Sequence, residues 1–334
     1  MGFYRLLLAY LVVCDHAGGV LFFGFYPGAI AVVSFFLLSG YVMTALIDRH
    51  YTEPRRIGAF YLDRAMRLYP QFLFYSLAMI VAASAFGLTH RWLAAPPSLA
   101  SDALQLTILP LNFGWLFHGA MLIPQAWSLG LEGFFYLLFP FVLIANRRLP
   151  YALGSLVIFA LAYAGRLDHE MFSYRMLPGV LFVFVLGSWI RRPEPGLGRW
   201  PLGVAFALAV AGLAAGPFVW GRHVCVLDVL AGLTLGLPAV YLLARSRISG
   251  RLDALAGDLS YGVFLNHNLL APLLAQLLPG APPWLALAAL IPVSTAASFA
   301  TFRWIEAPTL ALRRRLRVAD PAEARAVPGA AAAV

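Results

Sequence analysis

An arginine and a histidine stand eleven positions apart in an otherwise apolar stretch near the start of the chain. The segment reads RLLLAYLVVCDH, from Arg5 to His16. At about 100° per residue, eleven steps return to within roughly 20° of the starting direction, so both side chains share one helix face, roughly 16 Å apart. If Arg5 lies at a membrane surface, His16 lies near the middle of a hydrocarbon core about 30 Å thick. An ionisable side chain at that depth is costly and is usually retained for a pathway or for chemistry.

A glutamate interrupts a second apolar stretch, QAWSLGLEGFFYLLFP. Its span is predicted to run from outside to inside, which places Glu132 about five or six residues below the outer interface, roughly 8–10 Å deep. His16 reaches a similar depth from the other side, so we predict that the two side chains meet in one cavity. There the carboxylate would fix the tautomer of the imidazole, as a general base requires. The alternative is a buried polar pair that only locks two helices together.

Three more ionisable residues lie inside apolar stretches. Asp15 points about 100° away from His16, toward another helix, where it can serve an arginine or a water cluster. His267, in SYGVFLNHN, lies about eight or nine residues into its span, where a satisfied interior histidine is favoured over a directly catalytic one. Asp228 is a buried carboxylate without an assigned role. Four histidines in or beside the predicted outer loops carry little signal: His90, His118, His169 and His223.

Two arginines stand three positions apart in FYLDRAMRLYP and therefore share a helix face. Guanidinium groups presented together suit a diphosphate or a ribose phosphate, which they can bind in bidentate geometry. Arg64 and Arg67 are thus candidates for a phosphate site. Contacts to lipid phosphates, or ordinary topology signalling, explain the same spacing equally well.

The composition is that of a polytopic membrane protein. The 334 residues include only 12% charged ones, against roughly 25% in soluble domains, and the mean hydropathy is +0.80. The chain contains no lysine, so arginines carry all the cationic charge behind its net charge of +9. Because these arginines flank apolar spans, they do not indicate a nucleic-acid partner. Cys14 and Cys225 give neither disulfide nor zinc-site spacing, and no metal is expected.

We predict ten transmembrane helices, near residues 3–23, 29–47, 69–88, 126–145, 151–165, 174–190, 201–219, 223–244, 258–278 and 284–306. The first is read as a retained helix rather than a signal peptide, because it holds Asp15 and His16. One side of the bundle carries most arginines: Arg49, Arg55, Arg56, Arg64, Arg67, Arg147, Arg148, Arg191, Arg192, Arg199, Arg245, Arg247, Arg251, Arg313, Arg314, Arg315 and Arg317. The other side has Arg91, Arg166, Arg175 and Arg222. The positive-inside rule then places both termini in the cytoplasm.

Two segments outside the spans have distinct characters. The outer segment 89–125 contains LQLTILPLNFGWLF, which is too apolar for a free loop and indicates an interfacial or re-entrant piece covering a cavity. Residues 1–312 are predicted to form the transmembrane domain. Residues 313–334 form a cytoplasmic tail, first basic and then rich in alanine and proline, which we expect to be disordered.

Six sequence blocks, in order along the chain, resemble the acyltransferase-3 family of integral membrane O-acyltransferases. They are Arg5-x10-His16; SFFLLSGYVM, which contains Ser39; Arg64-x2-Arg67-x-Tyr69-Pro70; Trp127-Ser128-Leu129 with Glu132, Tyr136 and Pro140; Ser260-Tyr261 with His267; and Ile305-Glu306-x-Pro308. The chain departs from the family at Val33–Ser34 and at Gly133, where many members carry acidic residues. It resembles the family form without an extracytoplasmic SGNH hydrolase-like domain.

The resemblance implies transfer of an acyl group, most often acetyl, from cytoplasmic acyl-CoA to a hydroxyl of a sugar or glycan at a bacterial inner membrane. His16 would be the general base, or else a transient acyl carrier, and Glu132 would orient it. Arg5 would steer the donor phosphates, which Arg64, Arg67 and Tyr69 would hold. The other block residues would complete the site: Asp15, Ser39, Trp127, Ser128, Tyr261, His267 and Glu306.

Two other classes of function are compatible with the residues themselves. Intramembrane His and Glu residues also suit the proton relay of a transporter or flippase for a polysaccharide precursor. Against this, the sequence has no convincing internal repeat, and its Pro and Gly breaks do not recur in matching halves. A membrane scaffold in a polysaccharide synthesis complex would not need His16.

Overall fold

The computed structural model describes residues 1–318 except 91–92, 94–97, 118, 222 and 247–249, with the backbone alone at 311 and 314–318. The predicted tail beyond residue 318 therefore lies outside the described residues. So do Arg91, His118, Arg222 and Arg247.

The described residues form α-helices joined by short helical turns and loops. The α-helices are α1 (Gly2–Gly18), α2 (Pro27–His50), α3 (Ile57–Phe86), α4 (Leu99–Gln105), α5 (Trp127–Ile144), α6 (Arg148–Tyr163), α7 (Leu177–Arg191), α8 (Trp200–Trp220), α9 (Cys225–Arg245), α10 (Arg251–Leu277), α11 (Pro283–Thr301) and α12 (Ala307–Val318). Short 3₁₀ or π segments cover Pro54–Arg56, Leu109–Phe117, Pro124–Ala126, Met171–Arg175 and Phe302–Glu306.

The all-α class and the multi-pass character are confirmed. Seven helical segments among the described residues are long and apolar enough to cross a membrane: Pro27–His50, Pro54–Phe86, Pro124–Ile144, Met171–Arg191, Trp200–Trp220, Cys225–Arg245 and Pro283–Leu310. The three other predicted spans fall on α1, α6 and α10. Helices α1 and α6 are short, with 17 and 16 residues. Helix α10 is continuous, but the polar residues Asn266, His267 and Asn268 lie near its middle. The count of ten and the side of the termini therefore stay predictions.

Several predicted span boundaries differ from the helices, and two of the differences concern elements that carry candidate site residues. The first span was predicted to reach residue 23, but α1 ends at Gly18, where Gly19 adopts a left-handed conformation (φ 59°) that suits glycine. The third was predicted from residue 69, but α3 begins at Ile57. Asp63 and Arg64 precede the predicted start of this span, yet both are buried in the helix. Charged residues that are paired inside the bundle lower the local hydropathy, so the start of this helix is missed when spans are assigned from apolar runs.

Close helix contacts set the centre of the bundle. Helix α1 packs on α10 and α2, and α2 packs on α7 and α9. A Cβ atom at Gly40 would collide with the carbonyl oxygen of Phe184, and one at Gly187 with the carbonyl oxygen of Leu37. The backbones of α2 and α7 thus touch at two reciprocal glycines, a packing mode typical of membrane helices. This contact fixes the face of α2 that lines the site.

The apolar outer segment folds back onto the bundle. Its 3₁₀ stretch Leu109–Phe117 packs along α5, where a Cβ at Gly130 would lie 2.5 Å from the backbone nitrogen of Asn112. The hydroxyl of Tyr69 donates a hydrogen bond to the carbonyl of Thr107 at 2.9 Å. Tyr69, a predicted donor-site residue, therefore ties α3 to this segment.

Candidate functional site

Two cavities enter the bundle from opposite ends of α1 and α10. The first, here called the arginine cavity, has a volume of about 690 Å³, and its lining includes six arginines: Arg5, Arg49, Arg64, Arg67, Arg191 and Arg313. The second, here called the histidine cavity, has about 500 Å³, and its polar lining is Asp15, His16, Tyr26, His90 and Asn268. Along α10, Phe264 lines the first cavity and Asn268 the second.

Arg5 and His16 lie on the same helix but line different cavities. Both residues lie in the uninterrupted helix α1, so eleven residues give an axial separation of roughly 16 Å. Arg5 lines the arginine cavity, whereas His16 lines the histidine cavity. The predicted pattern therefore places a cation in one cavity and an imidazole in the other, and the part of the bundle between the two cavities is here called the partition.

His16 forms a hydrogen bond with His267 on α10. The Nδ1 atom of His16 and the Nε2 atom of His267 are 2.9 Å apart, and the ring centroids are 5.2 Å apart. His267 is 0% exposed and follows Phe264 by one helical turn, so it lies in the partition between the cavities. The sequence favoured a satisfied interior histidine at this position but did not identify His16 as its partner.

The hydrogen bonds of the pair determine which ring nitrogens carry the protons. The Nδ1 atom of His267 lies 3.3 Å from the carbonyl oxygen of Val263. A carbonyl can only accept, so Nδ1 of His267 carries the proton and its Nε2 is left as an acceptor. Nδ1 of His16 must then donate to that acceptor, which leaves Nε2 of His16 unprotonated. This is the tautomer that a general base needs.

Glu132 does not have the predicted arrangement with His16. Its carboxylate lines the arginine cavity and accepts hydrogen bonds from the hydroxyls of Ser39 at 2.5 Å and Tyr136 at 2.6 Å. His16 lines the other cavity and pairs with His267, so the predicted shared cavity is wrong. The depth argument compared positions along two helices but could not give the direction in which each helix turns its side chain.

A glutamine that the sequence reasoning missed braces the partition. The amide nitrogen of Gln125 donates to the carbonyls of Phe264 and Leu265, at 3.0 and 2.9 Å. Its amide oxygen accepts a hydrogen bond from Asn268 at 2.6 Å. Ser128, which lines the arginine cavity, donates to the backbone carbonyl of Gln125 at 3.1 Å. The polar residues flanking His267 were the available signal, because buried amides need partners.

The two predicted phosphate-binding arginines are held by carboxylates. Arg64 donates to Asp63, which also accepts from Arg313 at 3.2 Å. Arg67 pairs with Glu306, and its guanidinium lies 5.1 Å over the ring of Tyr261. Because the carboxylates fix them, these arginines reach the cavity wall in set orientations. Glu306 and Tyr261, singled out by the sequence, act here on Arg67.

Asp15 and Asp228 meet the start of α2. A Cβ at Gly28 would collide with the Asp15 carboxylate, which therefore lies against this helix end. Asp228 accepts a hydrogen bond from the backbone N–H of Tyr26 at 2.9 Å and lies 2.9 Å from Nε2 of His223. Carboxylates are stabilising at a helix N-terminus. Asp228 thus has a capping role, and Asp15 both supports α2 and faces the histidine cavity.

Trp127 lies in an aromatic cluster beside the site. The guanidinium of Arg175 lies 4.9 Å over its ring, and the ring of Tyr174 meets it edge-on at 4.8 Å. The sequence singled out Trp127, and the structure gives it a packing partner in the turn before α7. His90, which the sequence set aside, lines the histidine cavity.

The fold and site define a polytopic membrane protein in which a half-buried histidine in one cavity is hydrogen-bonded to a fully buried histidine between two opposed cavities. A family model described as an acyltransferase domain, Acyl_transf_3, matches residues 3–303. The chain belongs to this acyltransferase family, which confirms the resemblance seen in the sequence.

Two relatives illustrate the family. The chain is 28% identical over 311 residues to the exopolysaccharide production protein ExoZ of Rhizobium meliloti (strain 1021), covering 87% of this chain and 92% of the relative. It is 32% identical over 154 residues to an uncharacterized protein of Aquifex aeolicus (strain VF5), covering 44% of this chain and 69% of the relative. No solved structure matches the chain.

Proposed function

We propose that the protein is a bacterial inner-membrane O-acyltransferase that moves an acyl group, most simply acetyl, from acyl-CoA to a hydroxyl of a sugar or glycan. The observation that carries the proposal is the position of the His16–His267 pair between the arginine cavity and the histidine cavity. With both termini in the cytoplasm, the donor enters from the cytoplasm and the acceptor from the opposite side.

The arginine cavity suits the donor. Six arginines and three carboxylates line it. Two further carboxylates, Asp63 and Glu306, pair with three of these arginines, so cations remain in excess by one and the cavity favours an anionic ligand. The pantetheine arm of CoA reaches on the order of 15–20 Å, comparable with the roughly 16 Å between Arg5 and His16. The diphosphate would bind near Arg64 and Arg67, with Arg5 steering the donor toward the partition.

The chemistry is acyl transfer with His16 as the general base. Nε2 of His16 takes the proton of the acceptor hydroxyl as its oxygen attacks the thioester carbonyl. The tetrahedral intermediate collapses by breaking the carbon–sulfur bond, and the imidazolium returns the proton to the leaving CoA thiolate. The products are the O-acyl ester and CoA thiol. Throughout, Nε2 of His267 accepts the hydrogen bond that Nδ1–H of His16 donates.

The histidine cavity suits a hydroxylated acceptor. Asp15, Tyr26, His90 and Asn268 line it, and each offers a hydrogen-bonding group to sugar hydroxyls. The relative ExoZ is an exopolysaccharide production protein. An exopolysaccharide unit is therefore the acceptor class that we propose.

Transfer is tested with purified protein in lipid nanodiscs. We expect release of CoA thiol from acetyl-CoA when exopolysaccharide fragments are added, together with a mass gain of one acetyl group on the fragments. Mass spectrometry of glycans from cells with and without the protein identifies the natural acceptor. A folded protein that moves glycan across a bilayer without consuming acyl-CoA would instead be a transporter, and one that does neither would be a scaffold.

The donor site gives a second prediction. Changing Arg64 to Gln removes a guanidinium from the cavity wall, so we expect KM for acyl-CoA to rise with kcat less affected. Loss of a charged hydrogen bond costs roughly 1.5–3 kcal/mol, or about 10–150-fold. The matched control is Arg303→Gln, at an exposed arginine outside the described cavity linings. If a well-folded Arg64 variant keeps the wild-type affinity for acyl-CoA, Arg64 does not bind the donor and has a structural role alone.

A further inference from the structure

A small third cavity adjoins the arginine cavity. Its volume is about 130 Å³, and its polar lining is Tyr41, Arg191, Arg199, Tyr241 and Arg245. These residues come from four separate parts of the fold: α2, the end of α7, the turn before α8 and the end of α9. The cavity, here called the tri-arginine pocket, is thus built by the tertiary structure rather than by one basic run.

The charge of the tri-arginine pocket is uncompensated within its own lining. No carboxylate lines it among the residues that the structure describes, in contrast to Arg64 and Arg67, which pair with Asp63 and Glu306. Three guanidinium groups brought together repel one another, and an anion between them relieves that repulsion. Such groups form bidentate hydrogen bonds to phosphate oxygens.

One of the three arginines is held in place. Nη1 of Arg245 donates to the hydroxyl of Tyr241 at 2.6 Å, and its guanidinium lies 5.4 Å over the same ring. A guanidinium that stacks on a tyrosine is preorganised for its ligand, so less conformational entropy is lost on binding.

The tri-arginine pocket lies next to the proposed donor site. Arg191 lines both cavities. On α2, Tyr41 lines the tri-arginine pocket, whereas the next residue, Val42, lines the arginine cavity. A ligand held in the arginine cavity can therefore place a second anionic group between the three arginines.

We propose that the tri-arginine pocket binds a phosphomonoester, namely the 3′-phosphate on the ribose of CoA. This inference rests on the proposed function, in which acyl-CoA is the donor, and it adds a subsite that recognises the 3′-phosphate of that donor. A phosphomonoester carries a charge of about −1.5 to −2 near pH 7, which suits three cations better than the single charge of a phosphodiester lipid. The pocket would distinguish CoA from donors without the 3′-phosphate.

The test compares CoA with 3′-dephospho-CoA by titration calorimetry on the full chain in nanodiscs. We expect the wild-type protein to bind CoA about tenfold or more tightly than 3′-dephospho-CoA, since several charged hydrogen bonds are lost with the phosphate. Arg245→Gln and Arg199→Gln should each reduce that preference while leaving the affinity for 3′-dephospho-CoA unchanged. Arg303→Gln, away from this pocket, should keep the full preference. Thermal unfolding curves verify that each variant is folded.

Three results would overturn the assignment, and they are separable. Equal wild-type affinity for both ligands would remove the 3′-phosphate subsite but leave the proposed function standing. No binding of either ligand by folded protein would remove the donor and the subsite together. In the third result, the variants keep the preference for CoA but bind less phosphatidylglycerol than the wild type does, with nanodiscs of phosphatidylcholine alone as the reference. The pocket is then a lipid headgroup site.

Discussion

Replacing His16 with alanine should lower acyl transfer by about 10²–10⁴-fold, the usual cost of losing a general base, while acyl-CoA still binds. The reason is geometric. His16 lines the histidine cavity, and its bond to His267 leaves Nε2 as the proton acceptor. The donor phosphates would lie at the other end of the bundle, so donor affinity is independent of this ring. Turnover and donor binding are measured on the same preparation.

The matched control is His169→Ala, at a half-buried histidine that lines neither of the two large cavities and packs edge-on against Trp220, with ring centroids 5.3 Å apart. This variant should keep normal turnover. A packing histidine in α1 would instead lower protein abundance more than turnover per molecule. A well-folded His16→Ala protein that keeps more than about a tenth of normal turnover is incompatible with His16 as the base.

The direction of side chains along one helix could be predicted from the sequence. The helical period placed Arg5 and His16 on a common face and gave their separation, and α1 is a regular helix that keeps both. Apolar runs likewise located the predicted spans, because a membrane-crossing helix needs about 20 residues of low polarity. These features depend on one segment at a time.

The partners of those side chains could not be predicted in this way. Which residue meets His16 depends on how α1 is rotated against α10, and a single helix's pattern does not contain that angle. Glu132 was therefore assigned to His16, although its carboxylate faces Ser39 and Tyr136. The predicted third span began too late, at residue 69, for a related reason. Asp63 and Arg64 form their ion pair only in the folded protein, so the sequence shows them as two separate charges.

The tautomer argument makes His267 a positioning residue whose loss should be felt in catalysis. His267→Leu removes the acceptor for the Nδ1 proton of His16, so the ring is free to take the other tautomer or rotate. We expect kcat to fall by about 10–100-fold, by analogy with the loss of the hydrogen-bond partner that orients a metal-binding histidine, with donor affinity unchanged. His267→Gln keeps an acceptor at the end of the side chain and should recover part of the rate.

A neighbour on α10 separates positioning from packing. Asn266 is as buried as His267, but its amide donates to the carbonyl of Ser294 at 2.9 Å, on α11. Asn266→Leu should therefore lower the thermal stability or the yield, because a buried carbonyl loses its donor, and should leave kcat per folded molecule near normal. If His267→Leu behaves like Asn266→Leu, with lost stability and normal kcat, His267 only packs the partition. If instead kcat falls and glutamine restores part of it, the histidine pair is the unit that prepares the base, since a packing role gives glutamine no advantage over leucine.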